Sequence, residues 1–153
     1  MSKQDMEQNN LQQNNLQKNK AILKNFELAI CRGDVDGVKA LISDDVQVIT
    51  MGSSVVSATR NYDQLIELVK GLDSVTTSGI EMRFISMTAE EDRVSCEMEG
   101  NSTLLNGTAY NNQYHVLAHI RDGKIYLLKE YMDTKYADAT VGAMLASQNM
   151  RSS

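Results

Sequence analysis

The chain has 153 residues, 42% of them hydrophobic and 23% charged, the length and balance of one soluble domain built on a single core. A formal net charge of −5 argues against nucleic acid, whose phosphates need a surplus of Lys and Arg, and no apolar run approaches the roughly 20 residues of a membrane span. Without a charged-then-apolar secretory leader the expected compartment is the cytosol, and two cysteines, Cys31 and Cys96, are too few for a disulfide framework or thiolate zinc site, so neither metal nor cofactor is expected.

Residues 1–17 are dominated by Gln and Asn, and isolated leucines there bury too little surface to offset the cost of ordering. The segment is expected to be a disordered tail, with an outward extension of the first helix as the alternative. One domain is expected over 18–147, followed by a short C-terminal tail, 148–153. Ile22, Leu23, Phe26, Ala29 and Ile30 recur at i, i+3, i+4 spacing and predict a helix, which Gly33 stops. Asp34 is placed to cap a second helix with Val35, Val38, Leu41 and Ile42 on one face. After the polar break Ser43-Asp44-Asp45, alternation through Val46, Val48 and Thr50 predicts a short strand. A small-residue loop over 52–59 leads to Asn61, which caps a third helix carrying Leu65, Ile66, Val69 and Leu72.

The second half reads as β, with strands over about 79–88, 93–105, 108–120 and 124–133. Asn106-Gly107 and Asp122-Gly123 mark hairpins, since these residues tolerate the positive φ of tight turns. Tyr136, Ala139, Ala143 and Met144 predict a closing helix over 135–146. Helices followed by an antiparallel meander make an α+β pattern, with the helices packed on one face of a curved sheet.

Two stretches, CRGDVDGVKALISDDVQV and NGTAYNNQYHVLAHIRDGKIYLLKEYMDT, resemble the SnoaL-like and ketosteroid-isomerase-like superfamily, which shares the nuclear transport factor 2 fold. The resemblance covers most of residues 20–146. It implies a cone-shaped roll, in which a curved antiparallel sheet wraps around N-terminal helices, with an interior pocket and a homodimer through the sheet's outer face. It is poor for reaction, because the superfamily hosts isomerases, cyclases, dehydratases, epoxide hydrolases and members that only bind.

Strand parity suggests which side chains face the pocket. A two-residue Asn106-Gly107 turn would place Glu99 opposite Tyr114 and Glu97 opposite Val116, and opposed residues share a face. The set Tyr110, Asn112, Tyr114, Val116, Ala118 and Ile120 is the more apolar and is expected inside. At the second hairpin a two-residue loop would set Glu130 outside beside His115. A three-residue loop, Arg121-Asp122-Gly123, would set it inside opposite Tyr114, with Tyr126, Leu128 and Met132 also inward. The three-residue loop matches the superfamily's usual arrangement and is the one expected here. The result is a row of Glu99, Tyr114 and Glu130 as candidate catalytic groups, with Glu97 and Asn112 adjacent.

Carboxyls facing an apolar cavity raise one another's pKa, so one can be an acid while its neighbour stays ionised as a base. The alternative is that they are solvated at the rim or paired with Lys or Arg. The resemblance implies specific tests. Matched to ketosteroid isomerase, the phenol donor falls on Phe26, the general base on Thr50 and the neutral acid near Val116, none of which carries the needed group. Matched to limonene epoxide hydrolase, the acid and base fall on Glu99 and Glu130, but the bridging Arg falls on Glu97 and the water-positioning groups on Val48 and Thr50. Candidate ligand contacts are therefore Glu97, Asn112, Val116, Thr50, Val48, Phe26, Leu128 and Met132.

His115 and His119 lie roughly 13 Å apart along one strand face, too far to share a metal. The outer face bearing Leu117, Ile125, Leu127 and Tyr131 is apolar enough to predict a homodimer. The expected function is a pocket for a small hydrophobic, oxygen-containing molecule, acted on by acid–base chemistry of the isomerase, cyclase, dehydratase or hydrolase kind. A non-catalytic binding or assembly module of the same fold is the alternative.

Overall fold

The computed structural model describes residues 2–151; Met1, Ser152 and Ser153, which belong to the two expected tails, lie outside the described residues. The helices come first: α1 (Lys3–Arg32), α2 (Val35–Leu41) and, after strands β1 (Ile42–Thr50) and β2 (Ala58–Arg60), α3 (Tyr62–Lys70). Strands β3 (Glu81–Glu90), β4 (Arg93–Thr103), β5 (Ala109–Arg121) and β6 (Lys124–Met132) follow. A closing helix runs through α4 (Thr134–Ala137), a π-helical turn (Asp138–Gly142) and α5 (Ala143–Arg151). This is the expected α+β architecture, with one curved, unclosed sheet.

The helix boundaries follow local chemistry. Asp34 accepts from the Gly37 amide and Asn61 exchanges a capping box with Gln64, so orphan donors at both N-termini are satisfied. At the N-terminus the structure departs from the expected tail. Ser2 and Asp5 form a capping box, and α1 continues outward as an exposed helix from Lys3. The closing helix likewise extends past 146 through most of the expected C-terminal tail.

The sheet order is β2-β1-β6-β5-β4-β3, antiparallel except for the β1–β6 pair. That parallel pairing brings Thr50 level with Glu130. Leu23 and Phe26 of α1, Val38 of α2, and Leu65 and Val69 of α3 pack on the inner sheet face against Val94, Cys96, Met98, Val116, Ala118, Ile125 and Leu128. A second cluster joins Leu104 and Tyr110 to Ala137, Val141 and Met144 of the closing helix.

Both hairpins differ from expectation, with opposite consequences. Leu104 pairs with Thr108, leaving Leu105-Asn106-Gly107 as a three-residue loop with Gly107 at φ 84°. Burial explains the choice: this register buries Leu104 completely and leaves Leu105 47% exposed. It moves β4 by one residue relative to β5, so Met98 faces Tyr114 and Glu99 faces Gln113. Every β4 side chain changes face as a result. At the other hairpin the loop has two residues, Asp122 and Gly123, both at positive φ. A bulge between His119 and Ile120 on β5, with Tyr126 as the extra residue on β6, then restores the parity that a longer loop would have given. Glu130 therefore lies inward, opposite Val116 rather than Tyr114. Tyr126 turns outward instead, its ring edge-on to His119 and beneath Arg121.

Gly107 has open space where a Cβ would stand, so its conformation alone sets the cost of replacing it. Gly107→Ala is expected to lower unfolding stability by about 1–2 kcal/mol in urea titration, the penalty of a left-handed L-residue; an unchanged midpoint would contradict the turn.

Candidate functional site

The inner ends of α1, β1, β5 and β6 surround a cavity of about 300 Å³. Glu27, Ile30 and Cys31 enter from α1, and Thr50 and Arg60 from β1 and β2. Ile80 and Met82, Tyr110 and Tyr114, and Glu130 and Met132 complete the inner walls. The polar groups are few and converge, which is the pattern of a small-molecule site.

Glu27 is the residue that the sequence reading missed. It is 4% exposed, and its carboxyl has no hydrogen-bond partner among the described residues, yet it lines the cavity. Burial, and secondarily the Glu130 charge, push it from 4.5 up to about 8. Its signal was present in the sequence. Glu27 stands on the same helical face as Leu23, Phe26 and Ile30, the one charge in an apolar stripe.

Glu130 keeps some accessible surface, which belongs to the cavity it lines. Burial raises its carboxyl too, but two neighbours oppose the shift: the Thr50 hydroxyl donates to Oε1 at 3.3 Å, and the Arg60 cation lies close by. Arg60 Nη1 in turn donates to Thr50 Oγ1 at 3.1 Å, and Nη2 to the Val56 carbonyl at 3.4 Å. The mutual repulsion therefore falls on Glu27, which has nothing to hold its charge. Of the two carboxyls, Glu130 is therefore the one that gives up its proton first.

Tyr114 lines the same cavity beside Tyr110. Burial, and next the neighbouring Tyr110, lift its phenol well above the ordinary range, so it is a neutral donor at any working pH. Asn112 is buried one step behind, donating to the Tyr110 hydroxyl at 3.0 Å and the Asp133 carbonyl at 3.2 Å. The Cys31 thiol is pushed up to about 12 by burial and by Glu27 and Glu130, which makes it a poor nucleophile.

Of the expected site residues, Glu130, Tyr114, Thr50 and Met132 meet at the cavity. Phe26, Val48, Val116 and Leu128 lie in the hydrophobic core and do not line it. Glu99 and Glu97 do not belong to the site. The β4 register puts both on the outer face, Glu99 paired with Arg83 and Glu97 3.4 Å from Ser86 Oγ. His115 and His119 also lie outside, beside Ser95 and Asp92. Among the described residues, no three His, Cys, Asp or Glu side chains are grouped to hold a metal ion.

A model of the SnoaL-like domain matches residues 23–128. No curated protein matches the sequence. Among solved structures the chain is similar to PrhC from Penicillium brasilianum, with 17% identity over 87% of this chain and 91% of that one and a TM-score of 0.76. It is similar to TerC co-crystallized with polyporic acid, with 19% identity over 82% and 98% of the two chains and a TM-score of 0.70. An NTF2-like protein from Burkholderia xenovorans has 21% identity over 82% and 97%, with a TM-score of 0.68. At these identities the likeness speaks for the fold.

Because Glu27 holds its proton more tightly in the folded chain, its contribution to stability is complete below its ordinary value of 4.5 and is lost as pH rises through about 8. Wild type is expected to lose a few kcal/mol between pH 5 and 9 in denaturant titrations, and Glu27→Gln to remove most of that slope. Equal slopes in the two proteins would contradict the burial of an unpartnered carboxyl.

Proposed function

The chain belongs to the SnoaL-like family, and we propose that its cavity binds a small hydrophobic, oxygen-containing molecule and acts on it by acid–base chemistry. One observation carries this reading: Glu27, whose carboxyl has no hydrogen-bond partner among the described residues, faces the same apolar space as Glu130, whose Oε1 accepts from Thr50 beside the Arg60 cation. A protonated carboxyl facing the cavity needs an acceptor, and a ligand's carbonyl, hydroxyl or epoxide oxygen supplies one.

In this mechanism Glu27 donates its proton to the ligand oxygen as negative charge develops there. Glu130 takes a proton from carbon, or from a water it activates. Tyr114 and Tyr110 orient the oxygen by donating hydrogen bonds, while Ile30, Ile80, Met82 and Met132 exclude bulk water. The split between acid and base matches isomerase, cyclase, dehydratase or epoxide-opening chemistry, and the neighbour crystallised with polyporic acid supports an oxygenated ligand. The outer sheet face carries Leu117, Leu127 and an exposed Tyr131, which supports a homodimer. Ile125, expected there, is fully buried on the inner face.

The test is turnover of a panel of neutral hydrophobic enones and epoxides. Glu130→Gln should cut turnover by about 10²-fold or more, Glu27→Gln should also impair it, and Glu99→Gln should leave it unchanged. Wild-type activity should fall as pH rises through about 8, where Glu27 loses its proton. Binding without turnover across the panel would favour a non-catalytic module, and equal loss in Glu99→Gln would contradict the site.

A further inference from the structure

The cavity reaches the surface at one edge. Three of its lining residues are exposed large apolar side chains: Val55 at 67%, Leu68 at 47% and Leu145 at 38%. They come from the loop 51–57, from α3 and from α5, and mark an apolar mouth between those elements. The loop over this mouth is compact in itself. Ser57 Oγ donates to the Met51 carbonyl at 3.1 Å, the Ser57 amide to the Ser54 carbonyl at 3.0 Å, and the Val56 amide to Ser54 Oγ at 3.2 Å. Its first amide, Met51, donates to the Glu130 carbonyl at 2.8 Å, so one end is anchored at the site itself.

Its tip is held differently. A single carboxylate oxygen, Asp138 Oδ1, accepts both from Ser54 Oγ at 2.6 Å and from the Val55 amide at 3.0 Å. Asp138 heads the π-helical turn, a local irregularity that often accompanies a working site. Four residues on, Gly142 leaves room for the loop, since a Cβ there would meet Val55 Cγ2 at 3.0 Å. Both Asp138 contacts are exposed to solvent, so water can replace them when the tip lifts.

We propose that loop 51–57 is the gate of the cavity and that Asp138 is its latch, releasing Val55 and Val56 together to admit a ligand. The Arg60 bond to the Val56 carbonyl ties the gate to Thr50 and Glu130, so closing the loop and setting the base are coupled. The inference rests on this cavity being the ligand site, but its test needs no ligand.

The two cysteines provide the readout. Cys31 lines the cavity and is 3% exposed, whereas Cys96 is fully buried in the core. Wild type and Asp138→Ala are treated with 4,4′-dithiodipyridine at fixed pH, and each thiol is followed by peptide mass spectrometry. Asp138→Ala should label Cys31 about tenfold faster, the population shift that follows loss of hydrogen bonds to a charged acceptor, with Cys96 unchanged. Asp138→Asn, which keeps the acceptor oxygen, should fall between. Gly142→Ala, which crowds Val55, should speed Cys31 labelling by a separate route. Parallel acceleration of both thiols would mean general loosening, and no acceleration of Cys31 would mean access elsewhere; either result overturns the gate. Neither bears on whether Glu27 and Glu130 do chemistry, and inert carboxyls would leave the gate standing.

Discussion

Two carboxyl groups from distant parts of the chain, Glu27 on the first helix and Glu130 on the last strand, face one apolar cavity, where both cannot be charged cheaply. The arrangement of the site follows from that constraint. Thr50 and Arg60 attend Glu130 and not Glu27, so of the two Glu130 is the easier to ionise and Glu27 holds its proton more tightly. The asymmetry sets two residues of one type apart in proton affinity within one cavity.

The backbone achieves this through two irregularities. The bulge at Tyr126 turns Glu130 inward after a two-residue turn that would otherwise have sent it out. The left-handed Gly107 does the converse for β4, burying Val94, Cys96 and Met98 and presenting Glu97 and Glu99 to solvent. A single residue inserted in or removed from either hairpin exchanges the faces of a whole strand. The chemistry of the cavity is thus fixed at turns distant from it.

Much of the architecture is legible in the sequence because it rests on periodicity and punctuation. The 3.6-residue stripe through Leu23, Phe26 and Ile30, the Gly33 stop, and the Asp34 and Asn61 caps all act locally, and the elements form where those signals stand. Registers are less legible, since loop length is a choice between near-equal turns that long-range burial decides. Yet β4 carried its own answer. Val94, Cys96 and Met98 alternate with Ser95, Glu97 and Glu99, and a polar series flanking an apolar one belongs outside. The turn signal alone points Glu99 inward, and the alternation points it outward, as observed. Glu27 is less legible for the opposite reason: the stripe that predicts the helix is defined by its apolar members, and a single charge among them does not alter the period. The bulge at Tyr126 has no sequence signature that we can identify.

The proposed gate and the two carboxyls meet at Arg60, which holds Thr50 on one side and the loop carbonyl of Val56 on the other. Displacing the loop would therefore disturb the two groups that favour the charged form of Glu130, so the position of the loop and the protonation of Glu130 are linked. That linkage depends on the proton being where the electrostatics place it. Carbon-detected NMR titration of the glutamate side-chain carboxyls, in wild type and in Glu130→Gln, measures this directly. Glu27 should titrate near 8 in wild type and at lower pH once the Glu130 charge is removed. A Glu27 midpoint in the ordinary carboxylate range, or one indifferent to Glu130→Gln, would contradict the shared-cavity account.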